Sequence, residues 1–215
     1  VCSSDLMNKK TCLEVVGGLS VPSKLPCYSY SIPADKCKTG GKLRNIEGSV
    51  CNKCYAHKGF YKLYPAVGVA LQRRFDKLKH PKWVESMSFL INSYKEGYFR
   101  WHDSGDIQDI EHLKNIVEVC KNTPNTLHWL PTKEIQIITE YVKSGLTFPD
   151  NLIVRISNFM VESNVFEKLA NKLGVYTSGV SKKNYNCKAP QQENQCKDCR
   201  MCWSKDIKNV VYHAH

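Results

Sequence analysis

Residues 98–106 read YFRWHDSGD, residues 127–134 LHWLPTKE and residues 151–158 NLIVRISN. Each stretch begins as a short apolar and aromatic run, the composition of a strand covered on both faces, and each ends in a polar tip. Between them the period changes. Ile110, Leu113, Ile116, Val117 and Cys120 fall on one helix face, and Ile135, Ile138 and Val142 do the same after the second stretch. Upstream, Val67, Ala70, Leu71, Phe75 and Leu78 make a helical stripe that ends at His80 and Pro81. Trp83, Met87, Leu90, Ile91 and Tyr94 make another, stopped by Gly97. Downstream, Phe166, Leu169, Ala170 and Leu173 mark a helix, with Asn164 and Glu167 resembling a capping pair at its start and Gly174 a cap at its end. Further strands are expected at 175–177 and 210–212. Strands alternating with helices predict an α/β fold with mainly parallel strands.

The chain has 215 residues, 42% hydrophobic and 24% charged, which is enough for one core and contains no apolar run approaching the roughly 20 residues of a spanning helix. No association with a membrane is expected. Residues 7–62 and 181–215 read as Cys-rich segments flanking an α/β core at 63–180, the whole forming one structural domain. Residues 1–6, VCSSDL, match the end of a common sequencing adaptor read in frame, so the natural chain is expected to begin at Met7, which removes Cys2 from the chemistry. The residues after Met7, NKKTCLEVV, contain no signal-peptide apolar core. A cytoplasmic location is therefore expected, where thiolates bind metals more readily than they form disulfides.

Eight of the 11 Cys fall into two groups. Cys27, Cys37, Cys51 and Cys54 lie near the start, with C-x2-C only at Cys51 and Cys54. Cys187, Cys196, Cys199 and Cys202 lie near the end and read C-x8-C-x2-C-x2-C. Three thiolates at successive C-x2-C spacings wrap around one corner-sharing iron-sulfur core when a fourth comes from elsewhere. Zinc ribbons more often use two separated C-x2-C knuckles, so zinc stays open as the alternative. All eight are candidate ligands. Cys120, on a helical stripe, reads as a buried apolar thiol.

In parallel α/β folds the functional groups gather beyond the carboxyl ends of strands. The tips place His102, Asp103, Asp106, Lys133 and Arg155 there, expected to line one mouth and to bind an anionic or carboxylate-bearing small molecule. Each has a plainer reading. Asp106 and Asp109 can cap the following helix, Lys133 and Glu134 can be a solvated helix start, and Arg155 in an apolar strand can be salt-bridged to Asp103 or Asp106. His213 and His215, two apart at the chain end, are weaker metal candidates. No P-loop, G-x-G-x-x-G, H-E-x-x-H or G-x-S-x-G pattern is present.

The segment from Cys51 through Tyr61, residues 99–106, residues 131–134 and Cys196-x2-Cys199-x2-Cys202-Trp203 together resemble the phage gene product 88 family, in order over nearly the whole chain. The resemblance implies a phage or prophage origin, and hence the host cytoplasm. More distantly, residues 99–133 are similar to the radical-SAM pattern of a Gly-rich strand end, a helix and a strand closing in a Thr-containing loop. That similarity implies a partial (β/α) barrel with a [4Fe-4S] cluster near its mouth and auxiliary clusters in a Cys-rich C-terminal segment. It also implies that Ser104, Gly105 and Asp106 stand where a Gly-Gly-Glu-type segment holds the methionyl amine of SAM. The C-x3-C-x2-C triplet of those enzymes is absent, and Cys37, Cys51 and Cys54 would replace it with a longer first spacing.

Two functions are compatible with these residues, beside a structural role in which metals only staple the fold. One is an iron-sulfur protein with one or two clusters, a redox or radical-type enzyme served by an electron donor. The other is a zinc-stabilised nucleic-acid-binding protein, drawn from the +11 charge and from the basic and aromatic interleaving at 57–64 and at Arg73, Arg74 and Phe75.

Overall fold

The computed structural model describes residues 7–214; the adaptor-like residues 1–6, Cys2 among them, and His215 lie outside the described residues. The elements run α1 (Lys9–Val16), β1 (Tyr28–Tyr30), α2 (Lys38–Leu43), α3 (Phe60–Leu63), α4 (Pro65–Lys77), α5 (Trp83–Ser93), β2 (Tyr98–Trp101), α6 (Ile110–Asn122), β3 (Leu127–Thr132), α7 (Ile135–Lys143), β4 (Leu152–Ser157), α8 (Glu167–Leu173), β5 (Tyr176–Ser181) and β6 (Asn209–His213). The six strands form one sheet in the order β1-β2-β3-β4-β5-β6, and every neighbouring pair is parallel. Sequential parallel strands with an unclosed edge on each side are a partial (β/α) barrel.

The alternation of side chains divides the sheet cleanly. Phe99, Trp101, Leu130, Val154 and Ile156 meet the helices and form the main core with Trp83, Met87, Leu90, Leu113, Ile116 and Val117. Cys120 belongs to that core and is fully buried. On the other face Trp129 packs with Cys27, Cys202, Trp203 and Val210. That second layer is not a helix. Between β5 and β6 the chain carries no α-helix but the Cys-rich segment, with short 3-10 turns at Ala189–Gln192 and Met201–Trp203.

Several local expectations are revised. The 7–62 segment supplies α1, capped by Asn8 and Gly17, and the short edge strand β1, which three residues of YSY could not announce by periodicity. Strand β3 runs on through Pro131 to Thr132, with Pro131 opposite Arg155. Asn164 does hydrogen-bond Glu167, at 3.2 Å, but α8 starts later, after Phe166, without a side-chain cap. Gly174 closes α8 in the left-handed region as expected. Among the described residues no helix is long and apolar enough to cross a membrane.

Candidate functional site

The carboxyl end of β2 makes its turn at His102 and Gly105, both left-handed, with φ of 55° and 80°. Only glycine fits the second position, because a methyl there would lie 2.3 Å from Ile32 Cγ1 and 2.8 Å from the Ile32 carbonyl oxygen. The close approach brings the loop after β1 against the loop after β2, where Ile32 N–H donates to the Ser104 carbonyl at 3.1 Å.

Asp106 is buried and does not cap α6; that role falls to Asp109, which accepts from His112 N–H at 2.8 Å. Asp106 instead ties β2 to β3. Its Oδ1 accepts from Thr132 Oγ1 at 2.6 Å and from Ile107 N–H, and its Oδ2 accepts from Lys133 N–H at 2.8 Å. Burial pushes its carboxyl up to about 6, against these hydrogen bonds, which pull the other way. Glu134 is buried too, and accepts from Thr39 N–H and Thr39 Oγ1, both at 2.8 Å. That bidentate contact anchors the first turn of α2 beside Cys37. Glu134 is therefore not a solvated helix start.

Cys37, Cys51 and Cys54 gather at this place. Burial raises the Cys37 thiol, and the charges of Asp106, Cys54, Cys51 and Glu134 raise it further. Burial also raises Cys51, with Lys133 opposing. A methyl at Gly40 would stand 3.4 Å from Cys51 Sγ and 3.8 Å from Cys37 Sγ, so the two sulfurs flank one glycine. The Cys51 turn is docked on the exit of β4: Ser49 bridges Met160, Val50 N–H donates to the Phe159 carbonyl, and Asn52 braces the turn on Ser49 and Arg44.

Cys27 stands elsewhere. Although it neighbours Cys37 in sequence, its thiol is pushed up to about 12 by burial and feels Arg100, Cys196 and Arg200. Cys196 N–H donates to the Lys24 carbonyl at 3.0 Å, which fastens the C-terminal segment to the loop before Cys27. Cys196 in turn is raised by burial, Cys187 and Cys199. Cys202 is buried among Trp129 and Trp203 with its sulfur 3.4 Å from the Tyr212 hydroxyl. Among the described residues no three His, Cys, Asp or Glu side chains stand at the spacing of a single bound metal ion.

The remaining expected residues part company. Asp103 reaches the mouth, where Oδ1 accepts from Ser29 Oγ and Oδ2 from Tyr61 Oη, each at 2.7 Å, and its carbonyl accepts from Tyr55. His102 turns into the helix layer, its ring edge-on to His112 at 5.3 Å, and neither ring nitrogen has a hydrogen-bond partner among the described residues. Arg155 makes no salt bridge to Asp103 or Asp106. It is fully buried and donates to the carbonyls of Cys202, Thr177, Ile207, Met201 and Ser204, at 2.9–3.3 Å. A guanidinium matches such a set of fixed carbonyls with all its donors in use. Arg155 therefore holds the Cys-rich segment on the sheet. Ser104 is buried, and its hydroxyl has no hydrogen-bond partner among the described residues. His213 packs its ring on Tyr185.

Arg100 is a site residue that the polar strand tips do not reveal. It lies over the Trp129 ring at 4.5 Å, and its charge acts on Cys27, Cys196, Cys202, Asp103 and Tyr55. The buried-charge argument that singles out Arg155 applies equally to Arg100, flanked by Phe99 and Trp101. Of the two arginines expected to face nucleic acid, Arg74 is buried and donates to the carbonyls of Gly18, Leu19 and Ser31, while Arg73 stays exposed and donates to the Gly17 carbonyl.

Comparison with known families matches residues 4–205 to the model of the family described as gene product 88. No curated protein and no solved structure matches the chain.

Proposed function

Since the chain belongs to the gene product 88 family, we propose that this family member is a phage-encoded, cytoplasmic iron-sulfur protein whose first cluster is held at the barrel mouth by Cys37, Cys51 and Cys54. The observation that carries the reading is the convergence of these three thiols, from two separate loops, on the carboxyl ends of β2 and β3 beside Asp106, Lys133 and Glu134. Functional groups of parallel α/β sheets collect at such ends. Three thiolates fit a corner-sharing iron-sulfide core and leave one corner for an exogenous ligand. A cluster there supplies one-electron chemistry.

The chain's own residues supply the rest. Glu134 fixes the α2 turn that carries Cys37, and the bridge between Ser49 and Met160 fixes the turn that carries Cys51 and Cys54. Lys133 places positive charge beside Cys51 and favours its thiolate. The same ammonium suits an anionic or carboxylate-bearing substrate. Thiols raised by burial bind metal only as they lose their protons, so loading releases protons and is favoured at higher pH.

Anaerobic purification with iron, zinc and acid-labile sulfide analysis tests the proposal. Several irons with matching sulfide per chain, lost in Cys51→Ala, support it; a colourless protein holding stoichiometric zinc would sink it. Titrating SAM into the loaded protein then separates the enzyme classes. Binding supports the radical-type branch, and its absence leaves a redox centre.

A further inference from the structure

We propose that Arg100 and Trp129 form the carboxylate-binding end of a small-molecule site inside the barrel, where the guanidinium takes the ligand's carboxylate beneath Tyr55. This site rests on and deepens the reading of the barrel mouth as a place for an anionic substrate. Its anchor lies in the middle of β2 rather than at a strand tip. It requires no metal, so it stands or fails separately from the cluster.

Ser29, Arg100 and Trp129 stand opposite one another on β1, β2 and β3, on the face turned away from the main helix layer. The guanidinium lies over the Trp129 ring at 4.5 Å. Two N–H donors meet there without an acceptor: Arg100 Nε and Trp129 Nε1 are both buried, and neither has a hydrogen-bond partner among the described residues. A buried donor left unpaired is costly, and a buried cation left unpaired is more so. What both donors lack is an acceptor that carries negative charge. Arg155 on the same face behaves differently, since backbone carbonyls accept from all three of its nitrogens. Among the described residues Arg100 makes no ion pair, and no carbonyl or carboxylate accepts from it.

Asp103 acts on Arg100 by charge, yet its two carboxylate oxygens are taken by Ser29 Oγ and Tyr61 Oη, each at 2.7 Å. The group that covers the guanidinium is Tyr55, whose hydroxyl is shared between Arg100 and the Asp103 carbonyl. Tyr55 is 51% exposed and sits on a single 3-10 turn directly after Cys54, so a ligand can displace it from outside without opening the sheet. Asp103 also sets the class of ligand. With one carboxylate already acting on the guanidinium, a single added negative charge is favoured over a phosphate dianion. A guanidinium matches a carboxylate with two parallel donors. The rings of Trp129, Tyr55 and Tyr61, the last two 5.9 Å apart, supply apolar walls, so an aromatic carboxylate is the fitting probe.

The test titrates benzoate, benzamide and phenyl phosphate into the full chain by calorimetry, with iron and sulfide counted in the same samples. Benzoate should bind about tenfold or more tightly than benzamide, its neutral counterpart of the same shape, and more tightly than phenyl phosphate. Arg100→Gln should weaken benzoate binding by about tenfold or more and leave the metal content unchanged. Arg100→Lys keeps the charge without the fork and should fall between. Because a glutamine at this position can disturb folding, the comparison of the three probes on the wild-type protein is a measurement that needs no variant. A wild-type protein that does not bind benzoate, or does not distinguish it from benzamide, overturns the site and leaves the cluster proposal untouched. Preference for phenyl phosphate overturns the carboxylate assignment. Metal lost from a folded Arg100→Gln protein would make Arg100 a counter-ion of the thiolates and overturns the site as well. Benzoate binding by a wild-type protein that holds no metal sinks the cluster and leaves this site standing.

Discussion

Replacing Arg155 with methionine removes the clamp that holds the Cys-rich segment against the sheet, and the structure allows the cost to be worked. The side chain is fully buried and its guanidinium donates to six backbone carbonyls, those of Met201, Cys202, Ser204, Ile207, Thr177 and, at 3.5 Å, Lys208. Hydrogen bonds from a charged donor contribute about 1.5–3 kcal/mol each, but burying the cation lowers its pKa and offsets a large part of that sum. Methionine recovers the desolvation and keeps the volume, while the carbonyls must find water or remain unpaired. A buried carbonyl left unpaired costs about 1–3 kcal/mol, and with the desolvation of the cation recovered and some carbonyls regaining water the expected net loss for Arg155→Met is about 2–4 kcal/mol. Arg155→Lys keeps the charge with at most three donors and should fall between. Urea denaturation of both variants measures the loss, and limited proteolysis locates it: new cleavage should appear in residues 187–208 before the core is cut. A loss under about 1 kcal/mol with no added cleavage would refute the clamp.

Gly105→Ala should destabilise by about 2–5 kcal/mol, combining a left-handed alanine with a methyl pressed on the Ile32 carbonyl, and calorimetry should show a lowered melting temperature. A loss below about 1 kcal/mol would mean that the loops after β1 and β2 separate easily. Acid should weaken the fold through buried histidines: burial lowers His128 to about 3 and His112 to about 4, and burial with His112 and Arg100 holds His102 well below 6.5. These folded values are depressed, so their stability is present above 6.5 and is lost as pH falls. Asp106, raised by burial to about 6 from 3.8, has the opposite sign and gains stability over that range. Between pH 6 and 4 the net uptake on unfolding is about two protons, or about 3 kcal/mol per pH unit, and His128→Gln should reduce that slope by about one proton in urea midpoints. Cys199→Ser should lower metal content far more than Cys120→Ser, since Cys120 is buried in the helix-side core; equal losses in metal analysis would misplace the ligand set.

The regular part of the barrel was legible because its signals are local. The Cys120 stripe and the stripes of α5 and α7 needed only a period of 3.6, and β2, β3 and β4 needed only a short apolar run ending in polar residues. β1 escaped because three residues carry too little pattern, and its place at the sheet edge depends on pairing with Tyr98–Trp101, far along the chain. The polar tips were placed correctly at strand ends, but not the direction of each side chain. His102 lies one residue beyond Trp101 at a left-handed backbone, and that turn sends its ring toward His112 rather than toward Asp103.

By itself, then, the sequence determined which elements form, their parallel alternation, the polar strand ends and the supply of thiols, all properties of composition and short-range spacing. Tertiary structure alone decided which thiols stand near one another and what the buried charges hold. Cys27 joins Cys196 because a backbone hydrogen bond brings Lys24 to the C-terminal segment. Arg155 clasps carbonyls because the chain between β5 and β6 folds back over the sheet as irregular backbone, whose unpaired carbonyls require buried donors. Neither contact is local, so neither leaves a periodic trace in the residues that make it.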